Sequence, residues 1–212
     1  MNLPTKITVT RIIATVLLII ALFVMSVIPN FYVEPLGNTR INPVFLAVFV
    51  FFVIASYTDH LDGKLARKNN QVTDLGKFLD PVADKLLVNT MTIFLCAPSV
   101  FASYALRQAS FFPVWCVILM VARDTVVDAL RFIAAQKGVV IAANIFGKLK
   151  TVLQMVAIGA VLLNDFPFHY MYPNNTNPYL TVSMFLVYLA TLVSVISGVI
   201  YVIQNKKVFA KD

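Results

Sequence analysis

The sequence predicts an all-α integral membrane protein with six transmembrane helices and both termini in the cytoplasm. Three observations carry that prediction. Of 212 residues, 59% are hydrophobic and 13% charged, with a mean hydropathy of +0.83, whereas a soluble domain carries about 25% charged residues. Six apolar runs reach the roughly 17 residues that a helix needs to cross a hydrocarbon core. The basic residues fall almost wholly on one side of the resulting threading, as cytoplasmic loops require. Disorder, collagen and a disulfide-stapled module are excluded by the same composition.

The first run, residues 12–28, follows Lys6 and Arg11 and carries no charge. It has no small-residue cleavage site and reads as an anchored span rather than a signal peptide. Residues 41–57 form the second span and 86–106 the third. The fourth, 113–134, is interrupted by Arg123, Asp124, Asp128 and Arg131. The fifth, 146–164, begins among Lys148 and Lys150, whose long stems can snorkel towards the interface. The sixth, 179–203, is closed by Lys206 and Lys207. Between spans, Pro and Asn mark the outer turns. No internal repeat and no long linker divides the chain, so residues 1–212 read as one domain.

With the N-terminus inside, 13 of the 17 basic residues lie on the cytoplasmic side and only Arg40 and Arg107 on the other. The formal net charge of +7 is therefore a topology signal. A nucleic-acid partner is excluded, because no basic stripe interleaved with aromatics occurs. Cys96 and Cys116 sit in apolar runs without metal-ligand spacing and read as buried thiols.

The acids are concentrated. Five of the ten acidic residues lie between Asp59 and Asp84. Asp59 and Asp62 are three apart, Asp80 and Asp84 four apart, so each pair projects from one helix face. A turn through Lys68 to Gln71 would bring both faces together at the membrane surface. Four converging carboxylates repel one another unless something neutralises them. Oxygen-only ligands suit Mg²⁺ or Mn²⁺ rather than zinc, and two such ions would offset the charge. The plainer reading is a solvated charge patch, with the acids paired to Lys64, Arg67, Lys77 and Lys85. Gly63, Ala66 and Gly76 favour the metal reading, since glycine costs up to about 1 kcal/mol in a helix interior and implies a close approach. Arg67 could present a bidentate fork to a phosphate.

The pattern Asp59-x₂-Asp62-Gly63-x₂-Ala66-Arg67-x₈-Gly76-x₃-Asp80-x₃-Asp84 resembles, at every fixed position, the motif of the CDP-alcohol phosphotransferase family. The resemblance implies a six-helix membrane domain, a homodimer, and a site for a CDP-linked lipid and two divalent cations. It implies that Asp59, Asp62 and Asp80 are metal ligands. Asp84 would complete the metal site and act as general base. Gly63 and Ala66 would leave room for the cytidine nucleotide, with Gly76 and Asp62 beside it, and Arg67 would support the diphosphate. The products expected are a phosphodiester lipid and CMP, made at the cytoplasmic face of the cell membrane.

Outside the motif the chain resembles the phosphatidylglycerophosphate-forming branch of that family in three places. Residues 2–11, with Asn2 and Thr8, look like a short interfacial segment that lies along the membrane surface near the nucleotide, ahead of the first span. Arg123-Asp124…Leu130-Arg131 is similar to the branch's fourth span, with Asp124 where Glu is also common. Gly147-Lys148-Leu149-Lys150-Thr151…Gln154 is similar to its fifth. The donor implied is CDP-diacylglycerol and the acceptor sn-glycerol 3-phosphate. That acceptor is a dianion and needs cations, for which Arg123, Arg131, Lys148 and Lys150 are the candidates. The plainer reading of span four is self-neutralisation, with Asp128 pairing Arg131. Other acceptors, inositol phosphate or serine, would use the same chemistry. A carboxylate-lined cation transporter would instead need its acids near the bilayer midplane.

Overall fold

The computed structural model of the chain describes residues 3–28, 36–37, 39, 41–68, 74–96, 111–138, 145–172, 177 and 179–206. For residues 3–4, 26, 59–68, 74–75 and 77–78 it describes the backbone alone. Among the described residues six α-helices follow one another: α1 (Leu3–Val27), α2 (Pro43–Lys68), α3 (Asp74–Cys96), α4 (Val114–Gln136), α5 (Ile145–Leu162) and α6 (Val182–Gln204). A 3₁₀ turn, Phe168–Met171, lies between α5 and α6. No strand occurs among the described residues.

Local chemistry explains where these helices start and stop. Pro4 sits in the first turn of α1, where a missing N–H costs nothing, and no proline or glycine follows before Pro29. The helix is accordingly unbroken, which corrects the expectation of a separate interfacial segment. Thr5 to Arg11 are the first turns of the same helix, and Thr5, Thr8, Arg11 and Thr15 are buried. Likewise α2 runs eleven residues past the apolar run that ends at Tyr57, carrying the backbone of Asp59 to Arg67 on one rod. Pro81 lies inside α3 without ending it. The described helix stops at Cys96, two residues before Pro98, and residues 97–106 of the expected third span lie outside the described residues. Spans four to six match α4, α5 and α6 within three residues at each end.

Packing forms two groups that share a core. α6 lies along α5 and α4, α1 lies along α3 and α2, and α3 and α2 both reach α5. Phe45, Phe52, Leu87, Met91, Phe112, Met120 and Ile158 fill the centre. Gly159 lets α5 approach the Phe49 ring of α2, since a Cβ there would stand 3.1 Å from Cε2. The polarity is inverted relative to a soluble bundle. Ile13, Leu17 and Phe23 of α1, Ile54 of α2, Ile93 of α3, Phe132 of α4 and Leu192 of α6 are exposed, while Thr92, Gln154, Thr191, Ser194 and Ser197 are buried. Such apolar surface matches hydrocarbon, not water. Among the described residues, three helices are long and apolar enough to cross a membrane: Thr5–Met25, Ile145–Leu162 and Val182–Gln204.

The α5–α6 turn shows how a helix end is satisfied away from solvent. Asn164 and Asp165 adopt left-handed backbone (φ 53° and 64°), which short polar side chains tolerate. That bend aims Asp165 at the start of α6, where Oδ1 accepts from Ser183 N (2.6 Å) and Ser183 Oγ (2.7 Å). Val182 N donates to the Tyr172 hydroxyl (3.1 Å) and Met184 N to Thr181 Oγ1 (3.2 Å). The first three amides of α6 are thus all capped by side chains, with a carboxylate at the positive end of the helix dipole. Asp165→Ala strands the buried amide of Ser183, while the Ser183 hydroxyl keeps the Ala160 carbonyl at 3.1 Å as its acceptor. The substitution is expected to destabilise the protein by about 1–3 kcal/mol, read as a lower midpoint of thermal unfolding in detergent, with Asp165→Asn losing less.

Candidate active site

Four helices converge on one cavity of about 220 Å³. α3 contributes Asp84, Lys85 and Asn89, and α4 contributes Arg123, Asp124, Asp128 and Arg131. α5 brings Gly147, Lys148, Lys150, Thr151 and Gln154, and α6 brings Tyr201. Helical spacing explains the set: Asp124, Asp128 and Arg131 share one stripe of α4, and Gly147, Lys150, Thr151 and Gln154 one stripe of α5. Five basic and three acidic side chains line the cavity, so it carries an excess of two positive charges.

Asp124 is the centre of this arrangement. It is 8% exposed, and Lys150 Nζ reaches both its oxygens, at 2.8 and 2.6 Å. Arg123 Nη1 donates to the same carboxylate at 2.9 Å. The other side of the guanidinium is held by α6, where Nη2 donates to Ser197 Oγ at 2.5 Å. Small residues make that possible. A Cβ on Gly198 would lie 2.7 Å from Arg123 Cγ, and one on Gly147 would lie 3.8 Å from Nη2. Glycine in α6 is thus required by the close approach of an arginine from α4.

The rim is held less tightly. Lys85 pairs with Asp128, both more than a third exposed, so the pair adds little stability. Arg131 donates from Nε to the Tyr201 hydroxyl (2.9 Å), with its guanidinium carbon 5.3 Å from the ring centre. The plainer reading of span four, an Asp128–Arg131 pair, is replaced by partners from α3 and α6. Lys148 is exposed at the mouth, whereas Lys150 is 5% exposed and committed to Asp124.

Of the residues singled out in the sequence, the cavity gathers Asp84, Arg123, Arg131, Lys148 and Lys150. Asp80 lies one turn before Asp84 on α3, exposed, and accepts a hydrogen bond from Thr8 Oγ1 at 2.8 Å. The first turns of α1 are therefore tied to a motif acid. Gly76 is buried on α3, one turn before Asp80. Asp59, Asp62, Gly63, Ala66 and Arg67 lie on the last turns of α2, with side chains outside the described residues, as is Asn2 altogether. Asp80 and Asp84 are hard oxygen donors on one helix face, and both are reachable from solvent. That donor set fits a Mg²⁺ or Mn²⁺ ion. Sequence reasoning did not single out Ser197, Gly198 or Tyr201, and it named Lys85 only as a partner for the motif acids. The available signal is the small pair Ser197-Gly198 with a tyrosine one turn on, since small residues in an apolar span mark close helix contact.

Comparison with known proteins shows what the chain is similar to. A family model described as CDP-alcohol phosphatidyltransferase matches residues 1–203. A Bacillus subtilis (strain 168) protein named CDP-diacylglycerol--glycerol-3-phosphate 3-phosphatidyltransferase is 41% identical over 169 residues, 79% of this chain and 79% of that one. A Mycoplasma pneumoniae protein of the same name is 37% identical over 217 residues, covering 97% of this chain and 88% of its own. One from Rickettsia bellii is 31% identical over 208 residues, covering 98% and 97%.

The buried Asp124 network makes a stability prediction that is independent of any ligand. Removing one partner of a buried ion pair costs about 3–5 kcal/mol, because the other charge stays buried and uncompensated. Lys150→Met leaves Asp124 with Arg123 alone, so a loss towards the lower end of that range is expected. The double variant Lys150→Met/Asp124→Leu is expected to recover part of that loss. Thermal unfolding of the four proteins of this cycle in detergent measures the coupling, and additive losses would contradict it.

Proposed function

The chain belongs to the CDP-alcohol phosphatidyltransferase family, and from that premise we propose that it transfers the phosphatidyl group of CDP-diacylglycerol to sn-glycerol 3-phosphate. The observation that carries the acceptor is the cavity with two excess positive charges beside Asp84, which suits a dianion. The relatives named above support the same reading, since their printed name is that reaction.

In this reading the acceptor phosphate is held by Lys148, Arg131 and Arg123, and Lys150 sets the position of Arg123 through Asp124. The acceptor's terminal hydroxyl lies near Asp84. Its oxygen attacks the phosphorus that carries the diacylglycerol, and the bond from that phosphorus to the CMP oxygen breaks. The hydroxyl proton passes to Asp84. CMP leaves and phosphatidylglycerophosphate remains in the membrane. Asp59, Asp62, Asp80 and Asp84 would hold two divalent cations, which when bound supply charge withdrawal from the diphosphate. Arg67 supports the diphosphate, and Gly63, Ala66 and Gly76 leave space for the nucleotide. Thr8 serves the nucleotide side from α1 by steadying Asp80, and Asn2 completes the CDP-lipid set.

The whole chain acts as one domain with six spans, in the cytoplasmic membrane. Both termini and the active site face the cytoplasm, as the one-sided distribution of basic residues supports. The family resemblance supports a homodimer.

Purified protein with Mg²⁺ and CDP-diacylglycerol is expected to release CMP fastest with sn-glycerol 3-phosphate among a panel including serine and inositol phosphate. Chelation should abolish release, and preference for another alcohol would overturn the acceptor. Asp84→Asn should lower the rate by about 10²–10⁴ with folding retained. Gly198→Ala, which pushes on Arg123 from behind, should cost roughly a hundredfold through misplacement alone.

A further inference from the structure

We infer that Gln154 is a specificity-determining residue that reads the acceptor's second hydroxyl; the inference rests on the acceptor proposed above. The walls of the cavity are charged, but its inner end is neutral. Gln154 lies one turn beyond Lys150 on α5, and Thr92 two turns beyond Asp84 on α3. Both are buried, Gln154 at 1% exposure, yet Gln154 lines the cavity.

The hydrogen bonds fix which way the amide points. Thr92 has one hydroxyl proton, and it goes to the Val88 carbonyl at 2.7 Å. Thr92 Oγ1 therefore meets Gln154 as an acceptor, so the group facing it at 3.3 Å is the amide nitrogen. The amide oxygen is turned away. It is buried and has no hydrogen-bond partner among the described residues. Buried carbonyl oxygens are nearly always paired, and an orphan on a residue that lines a cavity points to a ligand donor.

A phosphate oxygen, which only accepts, does not satisfy this oxygen, and a hydroxyl does. sn-Glycerol 3-phosphate carries two hydroxyls: the terminal one reacts at Asp84, and the middle one is left over. With the phosphate on the cationic wall and the terminal hydroxyl at Asp84, the middle hydroxyl donates to Gln154 Oε1. A buried acceptor of this kind discriminates by being left unpaired when the wrong substrate binds.

The test compares CMP release with sn-glycerol 3-phosphate and with 3-hydroxypropyl phosphate, which keeps the phosphate and terminal hydroxyl but lacks the middle one. The native enzyme should prefer sn-glycerol 3-phosphate in kcat/KM by about tenfold to a hundredfold. Gln154→Met should bring that ratio close to one, chiefly by slowing sn-glycerol 3-phosphate. Loss of folded protein cancels in the ratio. Thr92→Val, which frees the amide to turn, should narrow the ratio without closing it. An unchanged ratio in Gln154→Met, or no preference in the native enzyme, would overturn the inference while leaving the acceptor reading intact. No CMP release with either phosphate would overturn the acceptor reading itself, and this inference with it.

Discussion

A carboxylate enclosed by apolar helices must be neutralised where it lies, and at Asp124 the requirement is met twice over. Lys150 closes on both oxygens and Arg123 adds a third donor. Because the three residues come from α4 and α5, and Arg123 continues to Ser197 on α6, one buried charge ties three helices together. The same contacts leave that cluster with one positive charge more than it neutralises. Arg131 and Lys148 add to the excess at the mouth. Stability and ligand preference therefore share a cause: the cations that hold the bundle closed also make its cavity attractive to an anion.

The site is graded in polarity from mouth to floor. Exposed cations and the Lys85–Asp128 pair stand at the rim, the Asp124 cluster forms the wall, and the neutral Gln154–Thr92 pair closes the inner end. A small phosphorylated polyol has the same gradient, charged at one end and hydroxylated along its length. One turn before Asp84 on α3, Thr8 joins α1 to Asp80.

Much of this was legible in the sequence. The apolar runs locate all six helices, since a lipid-facing helix must be apolar along its whole exposed length. The runs understate α2 and α3, because apolarity reports contact with hydrocarbon whereas a helix continues until a breaker or an uncapped end stops it. For the same reason the polar turns around Thr8 belong to α1, with no proline or glycine to divide them. Within the site, Arg123, Arg131, Lys148 and Lys150 stood out because charge is rare here and each instance needs an explanation. Their partners did not. Ser197, Gly198 and Tyr201 matter only through the face that α6 turns towards α4, and Lys85 only through its reach across to Asp128. Those are tertiary facts with no local pattern.

The most direct measurement is a crystal structure of the protein with sn-glycerol 3-phosphate bound. The phosphate is expected against Arg123, Arg131 and Lys148, with the carbon chain running towards Asp84 and the middle hydroxyl on Gln154. A phosphate held elsewhere, at Lys206 beyond α6 for example, with only solvent in the cavity, would contradict that placement.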